Sequence, residues 1–320
     1  MRFALFDSHA IGYAAQDGMK LTVGDREVQS IFGSIKSVRR YVRELNARPM
    51  MLWDGKAKWR YDLYPDYKAK RGKEPDPRVQ HMRKCFRECR EDIKRGLGLL
   101  GVPSLFAADF EADDLAGYLV KTYSKQGKRV FMITGDHDWK QLVNEHTTWV
   151  NHKDGRMVHE CTFAEDTGYL TPVAFVQGKA LVGDKSDEIP GVGRIGEKSA
   201  PEVLAQYGDV KTFITRIRDD VENKRKVPKA YRDFAMGEPS PKEPHLTRIQ
   251  AFQRNVKLMN LLSGPEPTGV QVLHRNAMDL DGFREFCREL NFQSILSDFD
   301  AFVEPFVDNI PTASPLRKSA

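Results

Sequence analysis

The chain has 320 residues, of which 40% are hydrophobic and 30% charged, a composition that excludes wholesale disorder and a polytopic membrane protein and suggests about two domains. No apolar run approaches the roughly 20 residues that span a bilayer, and a strand-like segment starts at once where a signal peptide would need its own pattern, so a cytoplasmic protein is expected. The net charge of +5 is unevenly spread: from Lys56 to Arg95, fourteen Lys and Arg stand against seven Asp and Glu, a local +7 that leaves the remainder slightly acidic. A polyanionic partner is expected at that basic segment.

In chain order, Phe3-Ala4-Leu5-Phe6 reads as a buried strand that runs into Asp7. Asp7 either caps the following helix or faces a pocket. Between Val28 and Leu45, Ile31, Ile35, Val38 and Val42 recur at helical spacing and mark one face as core. Met50-Met51-Leu52-Trp53 is a second strand, ending in Asp54. The basic segment follows, with Trp59, Tyr61, Tyr64 and Tyr67 interleaved among Lys56, Lys58, Arg60, Lys68, Lys70 and Arg71. Rings among cations suit a single nucleic-acid strand through stacking and phosphate pairing, although a solvated insertion has the same composition.

A helical pattern resumes from Val79 to Leu100 and carries Cys85 and Cys89 four residues apart. No His or Cys follows them at zinc-site spacing, so they read as reduced structural thiols, with Cys161 and Cys287. Pro103 to Phe106 is a shorter strand, and Glu111, Asp113 and Asp114 then open an apolar helix from Leu115 to Val120. Acids at a helix start also meet the positive end of its dipole, so stability alone can explain them. Val130 to Ile133 is a fourth strand, running through Thr134-Gly135 into Asp136-His137-Asp138. If these strands are parallel neighbours, their terminal acids collect at one rim, repel each other and call for a counter-cation. A turn between two such acids should point His137 away from them.

Further on, Asp184 and Asp187 stand three apart, and Gly191, Gly193 and Gly196 lie in a turn that feeds a helix. That spacing fits neither a P-loop nor a dinucleotide fingerprint; a hairpin between two helices, offering backbone N–H groups to a DNA phosphate, fits better. Residues 218–246, interrupted by Pro228, Pro239, Pro241 and Pro244, read as a mobile insertion. Helices are expected from Arg248 to Leu262 and from Gly282 to Leu290, and Pro305, Pro311 and Pro315 mark a frayed tail.

The segments FEADD, ITGDHDWKQL and LVGDKSDEIPGVGRIGEKSA, with LFD and LWDG upstream and YKAKR between, resemble the 5′ nuclease family nearly end to end. That family includes the phage 5′-3′ exonucleases, the flap endonucleases and the N-terminal domain of bacterial DNA polymerase I. The resemblance implies an α/β fold: a PIN-like, mostly parallel central sheet with flanking helices, a helical arch and a C-terminal helix–hairpin–helix domain. The implied division is a nuclease domain over 1–180 with its arch at about 56–95, a DNA-binding domain over 181–305 with the insertion at about 218–246, and a flexible tail over 306–320.

Carried over residue by residue, the family's metal-binding acids fall on Asp7, Asp54, Glu111, Asp113, Asp114, Asp136, Asp138, Asp184 and Asp187. Asp7, Asp113, Asp136 and Asp138 are implied as direct catalytic ligands, with Lys68 and Arg71 at the scissile phosphate. DNA contacts are implied at Tyr67, Lys68, Lys70, Arg71, Gly191, Gly193, Arg194, Gly196 and Lys198. Oxygen-only donors select Mg²⁺, with Mn²⁺ as a substitute, and two ions about 4 Å apart would activate a water and steady the leaving oxygen. The resemblance also implies a potassium ion at the hairpin. Three residues depart from the family pattern: Arg194 where a glycine is usual, Ser8 after the first aspartate, and Glu188 for a common asparagine.

The expected substrate is DNA with a 5′ flap, a nick or a free 5′ end. With no polymerase segment following, a monomeric stand-alone enzyme of the phage type is expected, in the host cytoplasm if phage-encoded, with a replicative polymerase or a single-strand binding protein as partner. A non-catalytic DNA-binding module of the same fold and a PIN-type ribonuclease are the alternatives.

Overall fold

The computed structural model describes residues 1–70, 76–273 and 277–310. Strand β1 (Arg2–Asp7) leads directly into helix α1 (Ser8–Gln16). A tight hairpin of β2 (Thr22–Val23) and β3 (Arg26–Glu27) turns through Gly24, whose φ of +56° suits a residue without Cβ. Helix α2 (Gln29–Leu45) then buries Ile31, Ile35, Val38 and Val42, as their spacing predicts. Strand β4 (Arg48–Trp53) and the short helix α3 (Lys58–Leu63) precede the long α4 (Pro77–Leu99), which starts at the N-cap Asp76 with proline in its first turn.

Strand β5 (Ser104–Phe106), helix α5 (Ala112–Lys125) and strand β6 (Arg129–Thr134) come next, followed by a 3₁₀ turn over His137–Leu142. Strands β7 (Thr147–Asn151) and β8 (Met157–Val158) end the sheet on that side. Short α6 (Phe163–Thr167) leads to α7 (Pro172–Val182), and the two-residue strands β9 (Gly183–Asp184) and β10 (Ile189–Pro190) pair antiparallel beyond it. Helices α8 (Ser199–Tyr207), α9 (Val210–Glu222), α10 (Lys229–Ala235) and α11 (Arg248–Met259) form the second layer of the chain. Strand β11 (Gln271–Leu273) and helices α12 (Leu280–Glu289), α13 (Gln293–Leu296) and α14 (Phe299–Asn309) close it.

The main sheet has the order β11-β5-β4-β1-β6-β7-β8. Its five inner strands are parallel, and the edge strands β11 and β8 run antiparallel. The four strands expected to end in acids are therefore consecutive neighbours, so their carboxyl ends share one rim. Strand alternation divides the apolar residues between two cores: Leu5, Leu52 and Met132 face one, while Ala4, Phe6, Met51, Trp53 and Ile133 face the other.

Three expectations about the second half are revised. Residues 218–246 are packed rather than mobile: α9 continues to Glu222, and α10 buries Phe234 and Ala235. Local proline content concealed this, because the prolines break the segment into short pieces whose burial comes from α10 folding back onto its chain neighbours α9 and α11. The segment after α11 leaves the second layer, since β11 pairs with β5 and Phe283, Phe286, Phe292 and Phe306 join the core beneath α2 and α4. Nor does Pro305 begin a frayed tail: it lies inside α14, with Phe306 fully buried after it. Pro311 and Pro315 fall outside the described residues. Among those described, no helix is long and apolar enough to cross a membrane.

Candidate active site

Asp7 ends β1 and serves both roles its position allows. Its Oδ1 caps α1 by accepting from the N–H groups of His9 (3.1 Å) and Ala10 (3.0 Å), while its Oδ2 accepts from the Thr134 hydroxyl at 2.7 Å. That hydroxyl in turn accepts from the Asp136 N–H at 2.9 Å, which ties the ends of β1 and β6 together. Asp54, just past β4, accepts from the Ala112 N–H at 2.8 Å, and the His9 ring nitrogen lies 3.1 Å from its other oxygen. Asp113 accepts from the Trp139 indole at 2.7 Å, and the Asp138 N–H donates to Asp136 at 2.7 Å.

These carboxylates are close enough to oppose one another's ionisation. Burial, followed by the charge of Asp54, raises the Asp7 carboxyl above its ordinary value. Burial and then Asp136 raise Asp113 well above it. Asp136 stands at the mouth of the pocket with much of its surface open, yet desolvation of its carboxyl and the charge of Asp138 push it up to about 7. A pocket that raises three carboxyls has fewer fixed positive charges than its acids require.

Lys179, on α7, is the fixed cation nearest that need. Its ammonium ion-pairs with Asp138 and lies 3.1 Å from Asp184. Burial disfavours its charge, but Asp138 and Asp184 outweigh that and hold its pKa above the ordinary lysine value. Asp184 is lowered: burial opposes ionisation, and Lys179, the Ser186 hydroxyl and the Asp187 N–H overcome it. Pattern reading missed Lys179, whose place five residues before Asp184 was the only available signal.

A second acidic group sits beside the first. Glu111 accepts from Lys68 (2.7 Å), the Tyr67 hydroxyl (2.9 Å) and Arg60 (3.1 Å). Burial works against its ionisation, but Lys68 and Arg60 prevail and lower its pKa. Asp187 joins this group through the Tyr67 hydroxyl (3.3 Å) and the Lys68 ammonium (3.6 Å). Lys68 and Tyr67 are buried, and burial together with the Glu111 charge raises the Tyr67 phenol.

Asp114, also expected as a metal ligand, pairs with Arg60. Both of its oxygens are held by Arg60, at 2.8 and 2.9 Å, and it also accepts from the Glu111 N–H in a capping box. Paired with one guanidinium through both oxygens, Asp114 ties the start of α5 to α3. Arg71 lies outside the described residues. His137 is exposed and packs edge-on against Trp149, with ring centroids 5.7 Å apart.

The glycine turn between β10 and α8 is tightly built. A Cβ on Gly191 would stand 2.1 Å from the Val182 carbonyl oxygen, whereas one on Gly196 would meet nothing within 4 Å. Gly193 and Arg194 both take positive φ, +95° and +60°, so the arginine adopts the conformation a glycine would hold more easily. Glu188 is likewise left-handed at +61°, a region asparagine tolerates better, and it accepts from the Lys70 N–H at 2.6 Å. Lys70 is exposed, as is Lys198 at the N-cap of α8. Arg248 donates to the Gly193 carbonyl at 3.2 Å and ties the turn to α11. Asn255 braces the turn from α11 by donating to the carbonyls of Ala180 (2.9 Å) and Pro190 (2.8 Å).

Two family models cover most of the chain: "5′-3′ exonuclease, N-terminal resolvase-like domain" matches residues 2–168 and "5′-3′ exonuclease, C-terminal SAM fold" matches 170–238. A thermostable DNA polymerase I from Thermus filiformis is 32% identical over 305 residues, covering 93% of this chain and 33% of that protein. The chain thus spans about a third of the length of the curated relatives it matches. A bacteriophage T5 flap endonuclease solved with DNA and metal ions is 19% identical, with a TM-score of 0.66 over 97% of this chain and 99% of that one. The catalytic core of Rad2 in complex with a DNA substrate is 18% identical, with a TM-score of 0.59 over 96% of this chain and 92% of that one. With the first of those models spanning more than half of its residues, the chain belongs to the 5′-3′ exonuclease family.

Proposed function

We propose that this chain is a structure-specific 5′ nuclease that hydrolyses DNA phosphodiester bonds with the help of divalent metal ions. The observation that carries the reading is the gathering of Asp7, Asp54, Asp113 and Asp136 at one rim of adjacent parallel strands, where burial and then the charges of neighbouring acids raise the carboxyls of Asp7, Asp113 and Asp136 despite the hydrogen bonds they accept. Family membership supports the reaction class, and the T5 flap endonuclease, with its DNA and metal ions, supports the substrate class.

The donor set fits a hard cation. Every candidate ligand is a carboxylate oxygen, and Lys179 already marks a place for positive charge between Asp138 and Asp184. Asp7, Asp54, Asp113, Asp136, Asp138 and Asp184 would hold Mg²⁺ or Mn²⁺, directly or through water. Such ions supply Lewis acidity toward a phosphate and lower the pKa of a coordinated water. The chain's own residues orient the site: Thr134 fixes Asp7 and Asp136, Trp139 fixes Asp113, and His9 stands against Asp54. Tyr67 holds Glu111 and Asp187 in place, and Lys68 sets an ammonium beside the pocket, a positive charge toward which a phosphate would be drawn. The glycine turn and the N-terminus of α8 would hold a duplex backbone, and the basic face of α4 would receive a 5′ strand.

Cleavage of labelled 5′-flap, nicked and blunt DNA, with a matched RNA flap, tests the reading. Magnesium-dependent products near the junction of the DNA flap are expected. Binding without cleavage would replace the reading with a non-catalytic module, and preferential cutting of the RNA flap with a ribonuclease.

A further inference from the structure

Outside the acidic pocket, a different set of ligand atoms meets on the side of α4. The hairpin β2–β3 brings Glu27 against the first half of that helix, where His81, Cys85 and Cys89 succeed one another at one-turn spacing. The His81 Nε2 lies 3.1 Å from the Glu27 Oε1 and 3.4 Å from the Cys85 Sγ. One donor atom from each of Glu27, His81 and Cys85 lies within 4.8 Å of the others. Ligands of a tetrahedral Zn²⁺, bonded at about 2.0 to 2.3 Å, stand about 3.3 to 3.6 Å apart, so the trio is nearly at ligand separation.

The hairpin side of this cluster is held in place. The other oxygen of Glu27 accepts from both Gln16 Nε2 and Gln29 Nε2, each at 2.8 Å, which leaves Oε1 aimed at the histidine. The Cys89 thiol donates to the Glu27 carbonyl at 3.2 Å and fixes the hairpin to the helix one turn further on. Hydrogen bonds that orient a carboxylate are characteristic of metal sites. Lys20 also reaches Glu27, at 3.1 Å, but its side chain is 68% exposed and free to swing away. Burial, with the neighbouring Glu27 charge, keeps the Cys85 thiol above its ordinary pKa, so a bound cation would displace its proton to solvent.

We infer that Glu27, His81 and Cys85 form a site for one thiophilic divalent cation of the Zn²⁺ class, with water as a fourth ligand. The site shares no residue with the acidic pocket and differs from it in kind, since a thiolate and an imidazole prefer a softer ion than carboxylates alone. Binding there joins the β2–β3 hairpin to the start of α4, so the ion would brace the helix that carries the basic face.

Co²⁺ titration of the untagged protein tests the inference, because a thiolate ligand produces a near-ultraviolet charge-transfer band that an all-oxygen site cannot. One equivalent of Co²⁺ is expected to produce the band and Zn²⁺ to abolish it by displacement. Cys85→Ser should lose the band, and His81→Asn and Glu27→Gln should weaken Co²⁺ binding at least tenfold, while Cys161→Ser should leave it intact. With the acidic pocket held by saturating Mg²⁺, Zn²⁺ should also raise the melting temperature of the wild type, and His81→Asn, at a largely exposed side chain, should lose that further shift while still folded. Absence of the band in the wild type, or its persistence in Cys85→Ser, would overturn the site. Because the readout is a sulfur–metal transition, it stands or falls independently of nuclease activity.

Discussion

Arg60 holds both oxygens of Asp114, at 2.8 and 2.9 Å, in an ion pair that is almost wholly buried. Removing one member of such a pair strands the other, a loss of about 3–5 kcal/mol. Arg60→Met is therefore expected to lower the unfolding free energy by about that amount, since Glu111 also loses a donor. Asp114→Asn should destabilise the protein yet keep its affinity for divalent cations, whereas Asp136→Asn should weaken that affinity. Chemical denaturation and calorimetric Mg²⁺ titration separate the two effects; weakened Mg²⁺ binding in Asp114→Asn would return that residue to the ligand set.

Lys179 is the counter-charge to Asp138 and Asp184. Lys179→Met keeps the unbranched apolar stem of the side chain and removes its charge, so the two aspartates should repel each other in metal-free protein. The melting temperature without metal is expected to fall, and the rise on adding Mg²⁺ to exceed that of the wild type. An unchanged metal-induced shift would mean that the lysine does not share the cation's position.

The raised acids give the metal-free protein a definite pH dependence. A carboxyl with a raised pKa in the folded state holds its proton more tightly there than in the unfolded chain. For Asp136 this contribution is complete below the ordinary value of 3.8 and is lost as pH rises toward about 7, with Asp7 and Asp113 acting in the same direction. Glu27, lowered to about 2 chiefly by its hydrogen bond from His81, acts oppositely, its stabilisation being lost as pH falls from 4.5 toward 2. The acids' contribution to metal-free stability should therefore decline between pH 4 and 7, against the opposite trend of His137 and His152, whose burial lowers their pKa values; either saturating Mg²⁺ or Asp136→Asn should remove part of that decline relative to the metal-free wild type. Denaturation at a series of pH values measures the slope, and identical metal-free profiles for the wild type and Asp136→Asn would contradict the raised carboxyl of Asp136.

The glycine turn makes a paired prediction. Gly191→Ala forces a Cβ against the Val182 carbonyl and should lower both stability and duplex affinity, while Gly196→Ala should be tolerated. Arg194→Gly relieves a left-handed arginine and is expected to add about 1 kcal/mol to stability. The same change removes a cation, so the salt dependence of DNA binding should become shallower if Arg194 touches phosphate. Melting temperatures and filter binding at several salt concentrations distinguish these outcomes.

The amino-acid sequence by itself determined the strands that end in Asp7, Asp54 and Asp136, the amphipathic α2 and the glycine turn. Each is written in a local period or at a chain-neighbour position: apolar runs stop at acids, and Ile31, Ile35, Val38 and Val42 repeat at helical spacing. Tertiary structure alone decided how the side chains paired. Asp114 and Asp113 are adjacent in the chain, yet one meets Arg60 and the other Trp139, because helix geometry turns neighbouring residues to different faces. Lys179, the return of α12 and α14 beneath α2, and the meeting of Glu27 with His81 and Cys85 all join residues whose contact depends on how distant elements pack, and no local pattern encodes that packing.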